Sequence, residues 1–246
     1  MLSMIGVEHN VFLAGPKGIK KYLQTVFEVT QLFLKYTLEI FEMEEDKPFE
    51  LAQVEGLKVE AYPLKHRVQC FGYVIKEKER PGKFESKIAL VKGVEKASIP
   101  KLLKGESVQT CGGKILKKED CLGPNIKGRK IVILGDTSDS KSIEQAAFGC
   151  DVILHECTFD KSMKERAEKT GHSTSEMAAR FADKIQAKNL ILTHFSARYL
   201  QFATEHNPIP LSKLLEEATE FSGQTKIHLA HDLFTFQVHP YQYAPI

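Results

Sequence analysis

The sequence has no long apolar run, no internal repeat and no regular spacing of cysteines. No hydrophobic segment approaches the roughly 18–20 residues that a membrane-spanning helix needs, which argues against a membrane-embedded chain. The first fifteen residues lack the basic segment and apolar core of a secretion signal. A chain of 246 residues with 42% hydrophobic and 27% charged residues is instead typical of a globular protein with one large domain or two small ones.

The five cysteines are scattered, at positions 70, 111, 121, 150 and 157. An odd number without a pairing pattern argues against a disulfide framework and indicates a reducing compartment. We therefore expect a cytoplasmic or nuclear protein. An organelle is the alternative if a targeting segment precedes Met1.

Aromatic residues are almost absent from residues 76–130, where Phe84 is the only one. This stretch carries fifteen basic and seven acidic residues, a net charge of +8 in a chain whose overall charge is +2. Clustered lysine and arginine bind a phosphate backbone by releasing counterions, and the lack of stacking aromatics favours backbone contact over base reading. Two interpretations stay open: a solvated surface insertion, or a protruding arm that grips nucleic acid.

Three short apolar runs organise the chain, and each is followed by a side chain that can bind a metal or move a proton. The pairs are 131–134 with Asp136, 152–154 with Glu156, and 190–192 with His194. Runs of three or four aliphatic residues separated by helix-like stretches predict buried strands of an α/β layer. Because ligands of such folds bind beyond the strand ends, the sequence predicts a site where these three side chains lie.

Hydrophobic periodicity predicts further elements around these runs. We expect strands at 11–13, 57–62, 70–75 and 234–238, and helices at 19–27, 141–149, 177–185 and 211–221. Pro63 is expected to end the second of these strands. Ser173 and Glu176 form a capping-box pattern at the start of the third helix.

Single residues in these patterns are weak signals, since an aspartate after a strand is more often a turn or a helix cap. His66, Asp136, His172 and His194 together offer one carboxylate and three imidazoles at loop positions. These are ligand types that zinc prefers when it keeps a position open for water, whose pKa it lowers to about 7. A histidine outside the metal shell can protonate a leaving oxygen, and Glu156 can orient that histidine.

These residues also carry a resemblance. The motifs are PLKHRVQCFGYVIKEKERPGK at 63–83, LGDT at 134–137, HECTF at 155–159, GHST at 171–174 and LTHFSARY at 192–199. In order and spacing they resemble the tRNase Z family, the ribonuclease Z or ELAC-type zinc phosphodiesterases of the metallo-β-lactamase superfamily. The resemblance implies an α/β fold, the αββα sandwich of that superfamily. Its halves would be 1–75 and 131–246, separated by a flexible basic arm at 76–130 that clamps tRNA.

The resemblance implies roles for single residues. His66 and His194 would each bind one of two zinc ions per subunit, and Asp136 would bridge the pair. His172 would be a catalytic residue that assists the leaving group, with Glu156 as the second catalytic residue beside it. The positions implied to bind substrate are Ser196, Arg198, Arg80 and Lys83.

Two departures from the family pattern bear on these expectations. The motif H-x-H-x-D-H is absent from the sequence, and its place in the family would lie upstream of Met1. We therefore expect a fold that is incomplete at its N-terminus, with about two protein ligands per zinc instead of the three typical of catalytic sites. In the arm, GVEKASIPKLLKGESV replaces the usual Gly-Pro-rich segment, which bears on tRNA affinity.

The implied activity is removal of the 3′ trailer of precursor tRNA by hydrolysis of the phosphodiester 3′ of the discriminator base. The implied assembly is a homodimer without membrane association. We expect the 246 residues alone to be inactive or weakly active, because the ligand set is incomplete. Two alternatives stay open: a catalytically dead isoform that binds tRNA or dimerises, and a metallo-β-lactamase-type hydrolase of a small substrate.

Overall fold

The structure is a computed structural model that describes residues 9–43, 47–54, 56–202 and 209–241. Contacts divide these residues into two compact units. The main unit contains the described residues up to Lys76 and those from Lys130 to Val238, and the insert unit contains Glu77–Arg129 with residues 239–241. No helix in the described ranges is both long enough and apolar enough to cross a membrane.

The chain alternates short strands and helices. The strands are β1 (Val11–Pro16), β2 (Leu38–Met43), β3 (Phe49–Val54), β4 (Leu57–Leu64), β5 (Cys70–Glu77), β6 (Val108–Gln109), β7 (Ile115–Leu116), β8 (Lys130–Leu134), β9 (Val152–Glu156), β10 (Asn189–Thr193) and β11 (Lys226–Leu229). The α-helices are α1 (Ile19–Val29), α2 (Ser86–Val91), α3 (Ile99–Leu103), α4 (Glu144–Ala147), α5 (Lys164–Thr170), α6 (Ser175–Lys184) and α7 (Ser212–Glu220).

A seven-stranded mixed sheet forms the centre of the main unit, in the order β11-β10-β9-β8-β5-β4-β3. Strands β8 to β11 run parallel, whereas β5 pairs with β8, and β3 with β4, in antiparallel fashion. A separate two-stranded parallel sheet joins β1 to β2. Because β8, β9 and β10 are parallel neighbours, their carboxyl ends lie at one edge of the sheet.

One face of the central sheet is buried under helices. Val132, Ile153 and Leu190 from β8, β9 and β10 share a single core with residues of α4, α6 and α7. The small side chains of Ala178 and Ala182 let α6 approach the sheet closely, and both are fully buried. Truncating a large residue in such a close-packed core typically costs about 2–5 kcal/mol of unfolding free energy.

The opposite face of the sheet is only partly covered. Ile133 is 37% exposed there, so the expectation of a buried strand at 131–134 is wrong for this residue. Residues of the segment 230–238 line a cleft on this face together with Ile131, Leu154 and Ile191.

Most of the predicted elements are confirmed, and four differ in detail. The strand predicted at 234–238 is wrong: Phe234, Phe236 and Val238 are less exposed than the residues between them, but the segment is not part of any strand among the described residues. Its alternation reflects packing on the sheet face. The strand predicted to end before Pro63 continues to Leu64, which a proline tolerates where no ladder hydrogen bond is needed. Pairing with β3 already ends at Ala61.

The other two differences concern helix starts. The N-cap of α6 is Thr174, whose Oγ1 accepts a hydrogen bond from the Met177 backbone N–H at 3.2 Å. Ser173 instead donates to the Thr137 carbonyl at 2.5 Å, so the predicted capping box is wrong. The helix predicted at 141–149 is a short 3-10 turn followed by α4. Strands β2, β3, β6, β7 and β11 and helices α2, α3 and α5 were not predicted.

The insert unit has a hydrophobic core of its own. This core contains Ala89, Val94, Leu102, Val108, Leu116 and Cys121. Helices α2 and α3 and the β6–β7 hairpin supply most of these side chains. The unit covers almost the same residues as the predicted arm.

An ion pair closes the base of the insert unit. Arg129 donates from its backbone N–H and from Nε to Glu77 Oε2, at 3.0 and 2.9 Å. The Arg129 side-chain hydrogen bonds, with a smaller contribution from its charge, lower the pKa of Glu77 from 4.5 to about 2. Gly128 permits this close approach, since a Cβ there would lie 2.0 Å from the Glu77 carbonyl oxygen.

The ion pair predicts an acid dependence of stability. A carboxylate with a depressed pKa in the folded state stabilises the fold above its unfolded pKa, and this contribution is lost as pH falls from about 4.5 towards 2. Denaturant unfolding of Glu77→Gln should therefore show lower stability than the wild type at pH 6, with a difference that shrinks towards pH 2.5. Glu119→Gln, an exposed carboxylate of the same unit, is the control. Equal pH profiles for both variants would contradict the assigned role.

Candidate functional site

Chemically active side chains meet at the carboxyl ends of β8, β9 and β10. Asp136 follows β8, Glu156 is the last residue of β9, and His194 follows β10. Thr193 of β10 is in register with Glu156. The residues at the carboxyl ends of β9 and β10 therefore lie next to each other. His66 reaches the same place from the end of β4, and His172 from the end of α5.

Asp136 lies between two histidines. Its Oδ2 is 3.9 Å from His66 Nε2, and its Oδ1 is 3.6 Å from His194 Nδ1. His172 is close to both imidazoles, with ring centroids 5.0 Å from His66 and 5.4 Å from His194. The structure therefore brings together the five residues that the sequence placed in metal-binding or catalytic roles, the fifth being Glu156.

The backbone of Gly171 fixes the orientation of His66. His66 Nδ1 lies 2.7 Å from the Gly171 carbonyl oxygen, and because a carbonyl only accepts, Nδ1 carries the proton. Nε2 is then left with its lone pair on the side of Asp136, as a ligand nitrogen requires. Gly171 has a φ of +79° at the end of α5, and a Cβ there would lie 2.8 Å from His66 Nδ1.

Glu156 is a buried carboxylate with four hydrogen-bond donors. Oε1 accepts from the Thr137 N–H at 3.2 Å and from His172 Nδ1 at 2.9 Å. Oε2 accepts from the Thr158 N–H at 3.0 Å and from Thr158 Oγ1 at 2.7 Å. These contacts satisfy the carboxylate and fix the proton on Nδ1 of His172, so Nε2 is the nitrogen available to a substrate.

Thr158 connects His194 to the same network. Its Oγ1 lies 2.9 Å from His194 Nδ1 and 3.1 Å from the His194 carbonyl oxygen. His194 adopts a φ of +56°, a conformation that is uncommon for a residue with a side chain and is tolerated when its surroundings fix it. Sequence reasoning assigned no role to Thr158 or Thr137, although Thr158 stands in the HECTF motif and Thr137 in LGDT.

His155 has a different role from its neighbour Glu156. It is 2% exposed, its Nδ1 bonds to the Glu156 carbonyl oxygen at 2.7 Å, and its Nε2 lies 3.3 Å from Ser140 Oγ. Burial lowers its pKa below the usual 6.5, with smaller opposing effects from Glu156. His155 is therefore a neutral core residue with both nitrogens occupied.

The residues predicted to hold substrate lie in two places. Arg198 and Ser196 follow β10, and Arg198 Nε donates to Ser196 Oγ at 3.1 Å. Arg198 also packs on the ring of Phe159, whose centroid is 6.3 Å from that of His172. Arg80 and Lys83 belong to the insert unit, where both are exposed.

Known proteins are similar to this chain over most of its length. A family model described as "Beta-lactamase superfamily domain" matches residues 98–195. Ribonuclease BN of Proteus mirabilis (strain HI4320) is 37% identical over 237 residues, covering 96% of this chain and 74% of the relative. Ribonuclease Z of Myxococcus xanthus (strain DK1622) is 36% identical, with the same coverage of both chains. The chain belongs to the ribonuclease Z family.

Solved structures agree on the fold of this ribonuclease Z family member. The crystal structure of human tRNase Z, short form, matches with a TM-score of 0.59 at 22% identity, covering 96% of this chain and 70% of that one. A metallo-β-lactamase fold protein from Bacillus subtilis matches with a TM-score of 0.53 at 16% identity, covering 93% and 65%. The predicted α/β metallo-β-lactamase fold is thereby confirmed.

The superfamily implies a metal, and the residues at this edge of the sheet fit one. Among the described residues, ligand atoms of His66, Asp136 and His172 lie within 4.8 Å of one another, and so do those of Glu156, His172 and His194. Imidazole and carboxylate donors suit zinc, manganese and iron. The Glu156 carboxylate already accepts four hydrogen bonds. The ligand atoms of the other residues in these two groups are therefore better placed to bind a metal.

Gly171 provides a test of how the site is held together. Gly171→Ala should weaken metal uptake, because the added Cβ would displace His66. Gly149→Ala is the matched control: Gly149 also has a positive φ (+67°), but a Cβ there meets nothing within 4 Å. Both variants should lose about 1 kcal/mol of stability from the backbone conformation. Metal titration followed by calorimetry should show weaker binding for Gly171→Ala alone, and equal affinities would contradict the role of Gly171.

Proposed function

We propose that this chain is a zinc-dependent endoribonuclease that removes the 3′ trailer of precursor tRNA by hydrolysing the phosphodiester 3′ of the discriminator base. The observation that carries the proposal is the cluster of His66, Asp136, His172 and His194 around one edge of the sheet, with Glu156 behind it. The names of its relatives, ribonuclease Z and tRNase Z, support the same reaction and substrate.

The metal site would be formed by three of these residues. His66 and His194 would each bind one zinc and Asp136 would bridge the two ions. When bound, zinc would supply Lewis-acid stabilisation of the phosphate and a nucleophile at neutral pH. Asp136 and His194 are 36% and 50% exposed, so the cluster opens to solvent as a polymeric substrate requires.

His172 is proposed as the general acid. Its Nδ1 proton is held by Glu156 at 2.9 Å, which leaves Nε2 as the nitrogen available to a substrate. Protonated there, His172 would deliver its proton to the departing 3′ oxygen of the tRNA. The Glu156 carboxylate stabilises the positively charged imidazole before the transfer and keeps the ring in the orientation that the transfer needs.

The insert unit is proposed to bind the body of the tRNA. Its excess of lysine and arginine suits a phosphate backbone, and Arg80 and Lys83 are the residues we assign to this contact. We further propose that the protein acts as a homodimer.

A binding-only function is the alternative that a specific observation favours. The proposed ligands His66, Asp136 and His194 give each zinc about two protein side chains, whereas catalytic zinc usually has three. A small-molecule hydrolase is less favoured, because the cluster is open and the insert unit is strongly basic.

Metal content and cleavage measured on one sample separate these functions. About two zinc ions per chain with cleavage of a 3′-extended tRNA would support the nuclease. Little zinc and no cleavage, with retained tRNA binding, would favour the binding-only protein. Loss of both cleavage and binding would contradict both proposals.

His172→Ala should lower kcat for 3′-extended tRNA on the order of 10²–10⁴-fold with little change in KM, since the general acid acts in the transition state. Steady-state cleavage assays would measure this. His9→Ala is the control, because His9 is an exposed histidine before β1, whose sheet is separate from the central one. A His172→Ala enzyme that cleaves like the control would remove His172 from the mechanism.

The double variant Arg80→Ala/Lys83→Ala should bind precursor tRNA more weakly than the wild type. The slope of log K against log salt should decrease in magnitude by about two, roughly one for each lost phosphate contact. Fluorescence anisotropy across a salt series would measure both effects. The control is Lys20→Ala/Lys21→Ala, which also removes two positive charges but from α1 of the main unit. If the two double variants have the same salt slope, the insert unit is not the tRNA clamp.

A further inference from the structure

Two arginines from different elements pack on one aromatic ring beside the proposed general acid. Arg198, in the loop after β10, has its guanidinium carbon 5.3 Å from the centroid of the Phe159 ring. Arg166, on α5, has its guanidinium carbon 5.8 Å from the same centroid. Phe159 is only 6% exposed and its ring contacts His172 edge-on, so the pair lies at the margin of the catalytic cluster.

Within the described ranges neither guanidinium forms an ion pair. Asp160, which hydrogen-bonds to Tyr199 next to Arg198, is already bound by Lys213 at 3.0 Å and by Ser162. Two like charges held near one ring repel each other, and an anion bound between them would replace this repulsion with attraction to both.

The first of these arginines is held in place by its neighbours. Arg198 donates from Nε to Ser196 Oγ and from NH1 to Met163 Sδ. The next residue, Tyr199, fastens the loop: its hydroxyl accepts from the Asp160 N–H at 2.8 Å and lies 3.1 Å from Asp160 Oδ2. Such a fixed fork loses little conformational entropy when it binds a phosphate.

The second arginine is exposed and free to bind. The guanidinium of Arg166 makes no hydrogen bond to any part of the chain that the structure describes, and its aromatic contact leaves its N–H donors unused. An arginine fork matches a phosphate with two parallel hydrogen bonds, which a lysine cannot do.

We propose that Arg166 and Arg198 form a clamp for two adjacent phosphates of single-stranded RNA, in which Arg166 holds the phosphate next to the one at the scissile bond. This inference rests on the proposed function, and it names a specificity residue for it. The clamp would select a polymer over a small phosphodiester, because a substrate with one phosphate cannot engage both arginines.

The test combines protein variants with a modified RNA. Arg166→Ala and Arg166→Lys are compared with Lys164→Ala, which removes one positive charge from the same short helix at a position without the Phe159 contact. The probes are 3′-extended tRNA, the same RNA with a neutral methylphosphonate at either phosphate flanking the scissile bond, and bis(p-nitrophenyl) phosphate. Affinity is measured by fluorescence anisotropy and cleavage by steady-state kinetics.

Arg166→Ala should weaken tRNA binding on the order of tenfold, as expected for loss of a charged hydrogen-bonded pair, and Arg166→Lys should weaken it less. The decisive result is non-additivity. One of the two methylphosphonates should lower the affinity of the wild type for the RNA on the order of tenfold. The same modification should change the affinity of Arg166→Ala little, since the arginine that would bind this phosphate is already absent. The loss in kcat/KM should be larger on tRNA than on bis(p-nitrophenyl) phosphate.

Two results would overturn the inference in distinguishable ways. If the wild type binds tRNA but Arg166→Ala behaves like Lys164→Ala, or both methylphosphonates cost it as much as they cost the wild type, the clamp is wrong and the proposed function stands. If the wild type neither binds nor cleaves tRNA, the proposed function fails and the clamp fails with it.

Discussion

The buried carboxylate of Glu156 is the interaction on which the arrangement of the site depends. A buried charge is tolerated only when its hydrogen-bonding capacity is filled, and here the donors come from the loop after β8, from Thr158 after β9 and from His172 before α6. One side chain therefore fixes three loops relative to one another. Thr158 extends the network to His194, so the end of β10 is fixed by the same charge.

The fold uses rigid strands to place reactive groups and short backbone contacts to orient them. Parallel strands bring their carboxyl ends to one edge, which sets the positions of Asp136 and His194. Orientation comes from single contacts, such as the Gly171 carbonyl on His66, that are possible only where the backbone can approach closely. The basic insert unit instead has its own core and its own closing ion pair, so its stability and its charge can be considered separately from the cluster.

Much of the site could be predicted from the sequence because its residues sit at positions that local patterns mark. An aliphatic run followed by a carboxylate or histidine indicates a strand end, and Asp136, Glu156 and His194 were found in this way. His66 and His172 were candidates by residue type alone, and their separate roles came from the family resemblance, since neither follows a strong apolar run. The threonines and Arg166 could not be found, because their roles arise from contacts that form only in the folded chain, such as Thr137 with Glu156 and Thr158 with His194, and that no local spacing records.

The sequence by itself determined the α/β class, the places of the principal strands along the chain and the types of side chain that follow them, because periodicity and residue type are local properties. Tertiary structure alone decided which histidine nitrogen faces the cluster, which buried histidine stays outside it, and that 234–238 packs on the sheet without joining it. Those outcomes depend on the assembled sheet. They are set by the backbone hydrogen-bonding groups that still lack a partner and by the apolar surface that is still exposed once the strands have paired.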